Sequence, residues 1–151
     1  MLKLCSVKAF RIKANTMNSR LIAFSLLLLP LQVFATTPYT NIDSLELKNL
    51  QAQGIPVYDI RRAEEWSQTG VLAGSHKLTF VDATGKLMPD FVDKFTKAVG
   101  KNEPVILICR TGNRTDVLSR ALIQQLGYTR VYNVKDGITH WISDGLPVIH
   151  N

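Results

Sequence analysis

The chain has 151 residues, 46% of them hydrophobic, and a formal charge of +6, so one compact domain is the default organisation. The charge is unevenly placed: Lys3, Lys8, Arg11, Lys13 and Arg20 all precede residue 36, no acidic residue does, and the remainder carries 13 basic against 12 acidic residues. A nearly neutral body excludes recognition of nucleic acid through a basic surface.

Those early charges belong to a predicted targeting segment. Arg20 precedes an almost wholly apolar run from Leu21 to Phe34, and Val33-Phe34-Ala35 offers small residues where a signal peptidase reads, before the polar Thr36-Thr37-Pro38. The expectation is a secretory signal over residues 1–35 and a single domain over 36–151, periplasmic or secreted. Met17, opening MNSR beside the apolar run, is a more typical signal start than Met1, and both remain candidate starts. The run has fourteen residues and contains Pro30, whereas a spanning helix needs about 20 apolar residues. No stable membrane insertion is therefore expected after cleavage, and an uncleaved anchor is the minor alternative. Cleavage would also remove Cys5 and leave Cys109 as the sole cysteine, so the remaining 116 residues would depend on a packed core rather than an internal disulfide.

Beyond the signal, the pattern alternates between helices and strands. Ile42 to Gln53 predicts an opening helix capped by Asp43 or Ser44, with Leu45, Leu47 and Leu50 on its buried side and Gly54 ending it. Val57 to Ile60 reads as a short strand, and Arg62 to Gln68 as a short helix with Trp66 turned inward. A second strand is expected near His76 to Phe80. Pro89 starts a helix to about Val99, with Phe91, Val92, Phe95 and Val99 spaced for burial and Gly100 stopping it. Val105 to Ile108, Thr129 to Asn133 and Ile138 to Ser143 read as strand, strand and helix. This alternation predicts an α/β fold, a mostly parallel central sheet with helices on both faces.

The chemistry concentrates in Val105 to Thr115, VILICRTGNRT. The apolar run lacks polar alternation, as in a strand covered on both faces, and Cys109 stands where it stops. From about Thr115 the spacing of Val117, Leu118, Ala121, Leu122 and Leu126 fits an amphipathic helix, so Arg110 to Arg114 make a tight strand-to-helix turn. Ligands of open parallel sheets bind at such turns. Backbone N–H groups in a compact turn, backed by a helix N-terminus, form a concave anion site. With Arg110 and Arg114 adding positive charge, Cys109 is expected to be a thiolate nucleophile at neutral pH. Gly112 suits a sharp turn with positive φ, and Asn113 tolerates one.

CRTGNR, from Cys109 to Arg114, resembles the CRxGxR active-site loop of rhodanese-like sulfurtransferases. Four other segments fall in the same order as in that family: VYDIR (Val57 to Arg61), TGVLAGSHKL (Thr69 to Leu78), GYTRVYNVKDGITHW (Gly127 to Trp141) and GLPV (Gly145 to Val148). The resemblance covers about Asn41 to Val148. It departs from the family at Asp136, where a second glycine is usual before Gly137, and at Ser75-His76, which replace a small apolar pair. Thr79 to Pro89 is also longer than a minimal domain needs. These differences bear on the rim of the site.

The resemblance implies a two-step sulfur transfer through a Cys109 persulfide. The residues expected to bind the sulfur are Arg110, Thr111, Gly112, Asn113, Arg114 and Thr115, through the loop N–H groups and the Arg114 guanidinium. A small sulfur-donor anion such as thiosulfate would load Cys109, and a thiol, a cyanide-like nucleophile, or an exported thiol or redox protein would accept the sulfur. No cofactor is expected, and the scattered His76, His140 and His150 lack metal-ligand spacing. Asp59 and Arg61 read as a structural ion pair, and Asp116 as stabilising a helix N-terminus. Phosphatases of this fold space five residues between cysteine and arginine; here only Arg110 to Asn113 intervene, which disfavours phosphate. The alternative to catalysis is a sulfur carrier, sensor or docking module.

Overall fold

The computed structural model describes residues 38–150, so the proposed signal segment, Cys5 and both candidate starts lie outside the described residues. The described chain contains strands β1 (Thr40–Ile42), β2 (Val57–Asp59), β3 (His76–Lys77), β4 (Val105–Ile108) and β5 (Val131–Val134). They alternate with helices α1 (Ser44–Ala52), α2 (Ala63–Thr69), α3 (Phe91–Ala98), α4 (Asn113–Gln124) and α5 (Gly137–Ser143). All strand pairs are parallel, in the order β1-β5-β4-β2-β3.

The sheet is covered on both faces, as the alternation predicts. β4 is central, its four residues are all 0% exposed, and its side chains alternate between two cores. Val105 and Leu107 pack with Phe91 and Phe95 of α3 and Leu118 and Leu122 of α4. Ile106 and Ile108 pack with Leu47 and Leu50 of α1 and Ile138 and Trp141 of α5. Each such side chain contributes about 1.5–3 kcal/mol by burial.

Several local expectations change. The opening helix begins at Ser44, not Ile42; Ile42 instead ends an edge strand paired with Val134, and Asp43 caps α1 by accepting from the Glu46 N–H at 2.9 Å. Leu45 is 69% exposed, because it sits two residues, or about 200°, from Leu47 around the helix. Trp66 is only half-buried, and Glu65 takes the buried position on α2. β3 is two residues long, although the chain runs on beside β2, with Leu78 and Phe80 N–H groups donating to the Asp59 and Ile60 carbonyls at 3.0 and 3.1 Å. On α3, Val92 points partly to solvent. The final strand ends one residue later than expected, at Val134, and the final helix starts one residue earlier, at Gly137.

After β2 the chain moves outward to β3, and after β4 it moves the other way to β5. The carboxyl ends of β2 and β4 therefore flank the point where the winding reverses, the place where such sheets hold ligands. Cys109 follows one of these strand ends and Arg61 the other.

Candidate active site

The turn after β4 is shaped by two glycines. Gly112, at φ +87°, is the N-cap of α4, and a Cβ there would lie 1.8 Å from the Lys135 carbonyl oxygen. Gly137, at φ +62°, begins α5 against the other side of the turn, where a Cβ would meet the Arg110 and Cys109 carbonyl oxygens at 2.4 and 2.6 Å. Both positions require positive φ and close backbone approach, which only glycine supplies without strain. Asp136, in place of a second glycine, adopts an ordinary φ of −106° as the N-cap of α5, so the departure leaves the loop geometry intact.

This packing orients the loop peptides. The N–H groups of Ile138 and Thr139 donate to the Cys109 and Arg110 carbonyls at 2.8 and 3.1 Å, and the Thr139 hydroxyl donates to the Arg110 carbonyl at 2.8 Å. The Gly112 carbonyl accepts from the Asp116 N–H at 2.9 Å and the Thr115 hydroxyl at 2.8 Å. The loop carbonyls are thus held by α4 and α5, while the N–H groups from Arg110 to Thr115 donate to no oxygen among the described residues. The last three belong to the first turn of α4, which begins at Asn113 rather than near Thr115. Helix N-terminal N–H groups and a turn of N–H groups together favour an anion.

Cys109 lies beneath this loop, 1% exposed, with its Sγ 3.6 Å from Thr115 Oγ1. Thr115 is itself fully buried, whereas Thr111 and Asn113 are exposed. A cleft of about 310 Å³ over the loop is lined by Arg62, Glu65, Arg110, Thr111, Asn113 and Arg114. So deep a sulfur admits only a substrate whose reacting end is small.

The two arginines differ in role. Arg110 is exposed on the cleft wall and forms no ion pair among the described residues. Arg114 is clamped by Glu65, Nη1 to Oε2 at 2.7 Å and Nη2 to Oε1 at 2.6 Å, so its guanidinium is fixed on the cleft wall. Burial pushes the Glu65 carboxyl up, but hydrogen bonds from Arg114 and the Arg62 N–H, with their charges, outweigh it and hold the group at about 2. The same hydrogen bonds, donated to Glu65, raise Arg114; burial opposes them, and the Glu65 and Cys109 charges add to the rise. Arg114 is a cation fixed in the wall, and Arg110 is an exposed one without an ion pair among the described residues.

Glu65 was not legible as a site residue. Its only local signal is an acid three residues beyond Arg62, where its Oε2 accepts the Arg62 N–H at 3.1 Å. Arg61, fully buried, holds α2 in place. Its Nε and Nη2 donate to Asp59 at 2.9 and 2.6 Å, Nη1 donates to Thr69 Oγ1 at 2.6 Å and to the Glu65 carbonyl at 3.3 Å, and Nη2 donates to the Gly70 carbonyl at 2.8 Å. The expected Asp59–Arg61 ion pair is thus structural and positions the helix that carries Glu65. Asp116 lies in the first turn of α4 and pairs with Arg120 and Tyr39. Among the described residues no group of three His, Cys, Asp or Glu side chains could share a metal ion.

Residues 44–144 match the model of the rhodanese-like domain. The chain belongs to the rhodanese-like domain family. Its relatives include the thiosulfate sulfurtransferase GlpE of Actinobacillus pleuropneumoniae serotype 3, 31% identical over 99 residues, which cover 66% of this chain and 82% of that protein. Thiosulfate sulfurtransferase 16 from the chloroplast of Arabidopsis thaliana is 28% identical over 92 residues, covering 59% of this chain and 75% of the relative. Among solved structures, Rv0390 from M. tuberculosis superposes with a TM-score of 0.63 at 23% identity, covering 75% of this chain and 99% of that one. The rhodanese-like fold is therefore shared well beyond the reach of sequence identity, and the relatives named thiosulfate sulfurtransferase support a sulfurtransferase family.

Proposed function

We propose that this rhodanese-like domain is an exported sulfurtransferase that moves a sulfane sulfur from a small anionic donor, such as thiosulfate, to a nucleophilic acceptor through Cys109. The observation that carries this reading is the run of N–H groups from Arg110 to Thr115, left without oxygen acceptors above a buried cysteine. Cys109 thiolate attacks the outer sulfur of thiosulfate; the S–S bond of the donor breaks and sulfite leaves with its electron pair. Cyanide or a thiolate then attacks the terminal sulfur of the Cys109 persulfide, and Cys109 departs as thiolate. No proton transfer is needed, because every attacking and leaving group is an anion. The loop N–H groups, the Arg114 guanidinium and Arg110 serve by stabilising the negative sulfur. The names of the thiosulfate sulfurtransferase relatives support thiosulfate as donor.

Thiocyanate production from thiosulfate and cyanide tests the assignment. The native domain is expected to turn over with ping-pong kinetics and Cys109→Ser to be inactive; equal rates for the two would refute it. Export rests on residues 1–35. The protein recovered from a bacterial envelope should begin at Thr36, and an intact residue 1 or 17 start there would refute cleavage.

A further inference from the structure

The stretch from Thr79 to Pro89 folds as a small excursion at the mouth of the site. The Asp82 N–H donates to the Lys86 carbonyl at 2.9 Å, the Met88 N–H to the Phe80 carbonyl at 2.9 Å, and Val81 and Leu87 form an antiparallel bridge. Asp82 Oδ1 closes the turn by accepting from the Thr84 and Lys86 N–H groups at 2.8 and 2.9 Å. The base is anchored: the Thr79 hydroxyl donates to the Arg61 carbonyl at 3.1 Å, and the Phe80 ring packs edge-on against Phe91 at 5.0 Å.

Between this excursion and α4 runs a groove of about 640 Å³, whose apolar wall includes Phe80, Val81, Leu87 and Val117. Leu87 is 45% and Val117 60% exposed; Val117 was expected in the core from its helical spacing, and instead faces the groove. The groove shares Arg62, Asn113 and Arg114 with the smaller polar cleft over the loop that covers Cys109, so the two adjoin. Thiosulfate and cyanide have no carbon chain to bury there. A ligand filling both needs a small sulfur end and an apolar body.

We propose that the acceptor of this enzyme is a low-molecular-weight thiol with an apolar chain, its sulfur over Cys109 and its chain between the excursion and Val117. The inference rests on the reading that Cys109 carries a persulfide. In the transfer, R–S⁻ attacks the terminal sulfur of that persulfide, the S–S bond to Cys109 breaks, and R–S–S⁻ and Cys109 thiolate result, with no net oxidation.

The test separates the two readings. The native domain is loaded with thiosulfate, freed of excess donor, and mixed with subsaturating ethanethiol, butanethiol or hexanethiol, while loss of the Cys109 persulfide is followed by intact mass. Failure to load Cys109 refutes the proposed function itself. If Cys109 loads, the second-order rate should rise about two- to fourfold per added methylene, because the intrinsic nucleophilicity of the three thiols is alike. In the variant Leu87→Asn with Val117→Asn, both at exposed positions, the hexanethiol-to-ethanethiol ratio should collapse to within about twofold of unity. Equal rates for all three thiols in the native domain, or a native ratio in the double variant, would overturn the inference.

Discussion

Replacing Glu65 by Gln removes one charge and leaves the partly buried Arg114 guanidinium with one acceptor where it had two, at 2.7 and 2.6 Å. Holding the Glu65 carboxyl at about 2 instead of its ordinary 4.5 corresponds to about 3 kcal/mol; with Arg114 22% exposed, about 2 kcal/mol is expected after screening. For a domain of this size that lowers Tm by roughly 8 °C. Because the folded-state value is depressed, the contribution is fully present above about pH 4.5 and is lost as pH falls through about 2. The difference between native and Glu65→Gln should therefore shrink to less than half on going from pH 7 to pH 3. Urea unfolding followed by tryptophan fluorescence at both pH values measures it. A difference that is unchanged between them would refute the ion-pair account and leave only a packing effect. Cyanolysis should also fall, since Arg114 would no longer be fixed on the cleft wall.

Gly112→Ala places a methyl group 1.8 Å from the Lys135 carbonyl at positive φ, so the loop must shift, with a loss of about 100-fold in thiosulfate–cyanide turnover; native-like rates would contradict the cradle geometry. Arg61→Met strands the fully buried Asp59 and should cost about 3–5 kcal/mol in urea unfolding, whereas a loss below about 1 kcal/mol would show the pair to be dispensable. Leu45→Ala, at 69% exposure, should stay within about 0.5 kcal/mol of native; a loss typical of a core leucine would mean that α1 packs differently.

What was legible in the sequence follows the length and locality of each signal. Val105 to Ile108 could be read as a central strand because burial on both faces leaves an unbroken apolar run. The Cys109 to Thr115 turn was legible because its elements are consecutive. β1 was not, since three residues at a sheet edge carry too little alternation, and Ile42 served equally well as the first residue of a helix. Helical spacing alone placed Leu45 and Val117 inward, but these helices bury only one side and Val117 borders a groove made by a distant excursion. The Glu65–Arg114 clamp spans 49 positions, and nothing near either residue announces the other. Arg114 could be placed in the loop from the motif, but the carboxylate that fixes it could not. Arg110, expected to bind the sulfur, is exposed on the cleft wall.

The account rests on Cys109 as the atom that carries sulfur between substrates. Intact mass of the native domain after thiosulfate treatment measures this most directly. One added sulfur atom, mapped to Cys109, absent in Cys109→Ser and released as an equal amount of thiocyanate by cyanide, is the predicted result. Full turnover with Cys109 never modified would contradict it.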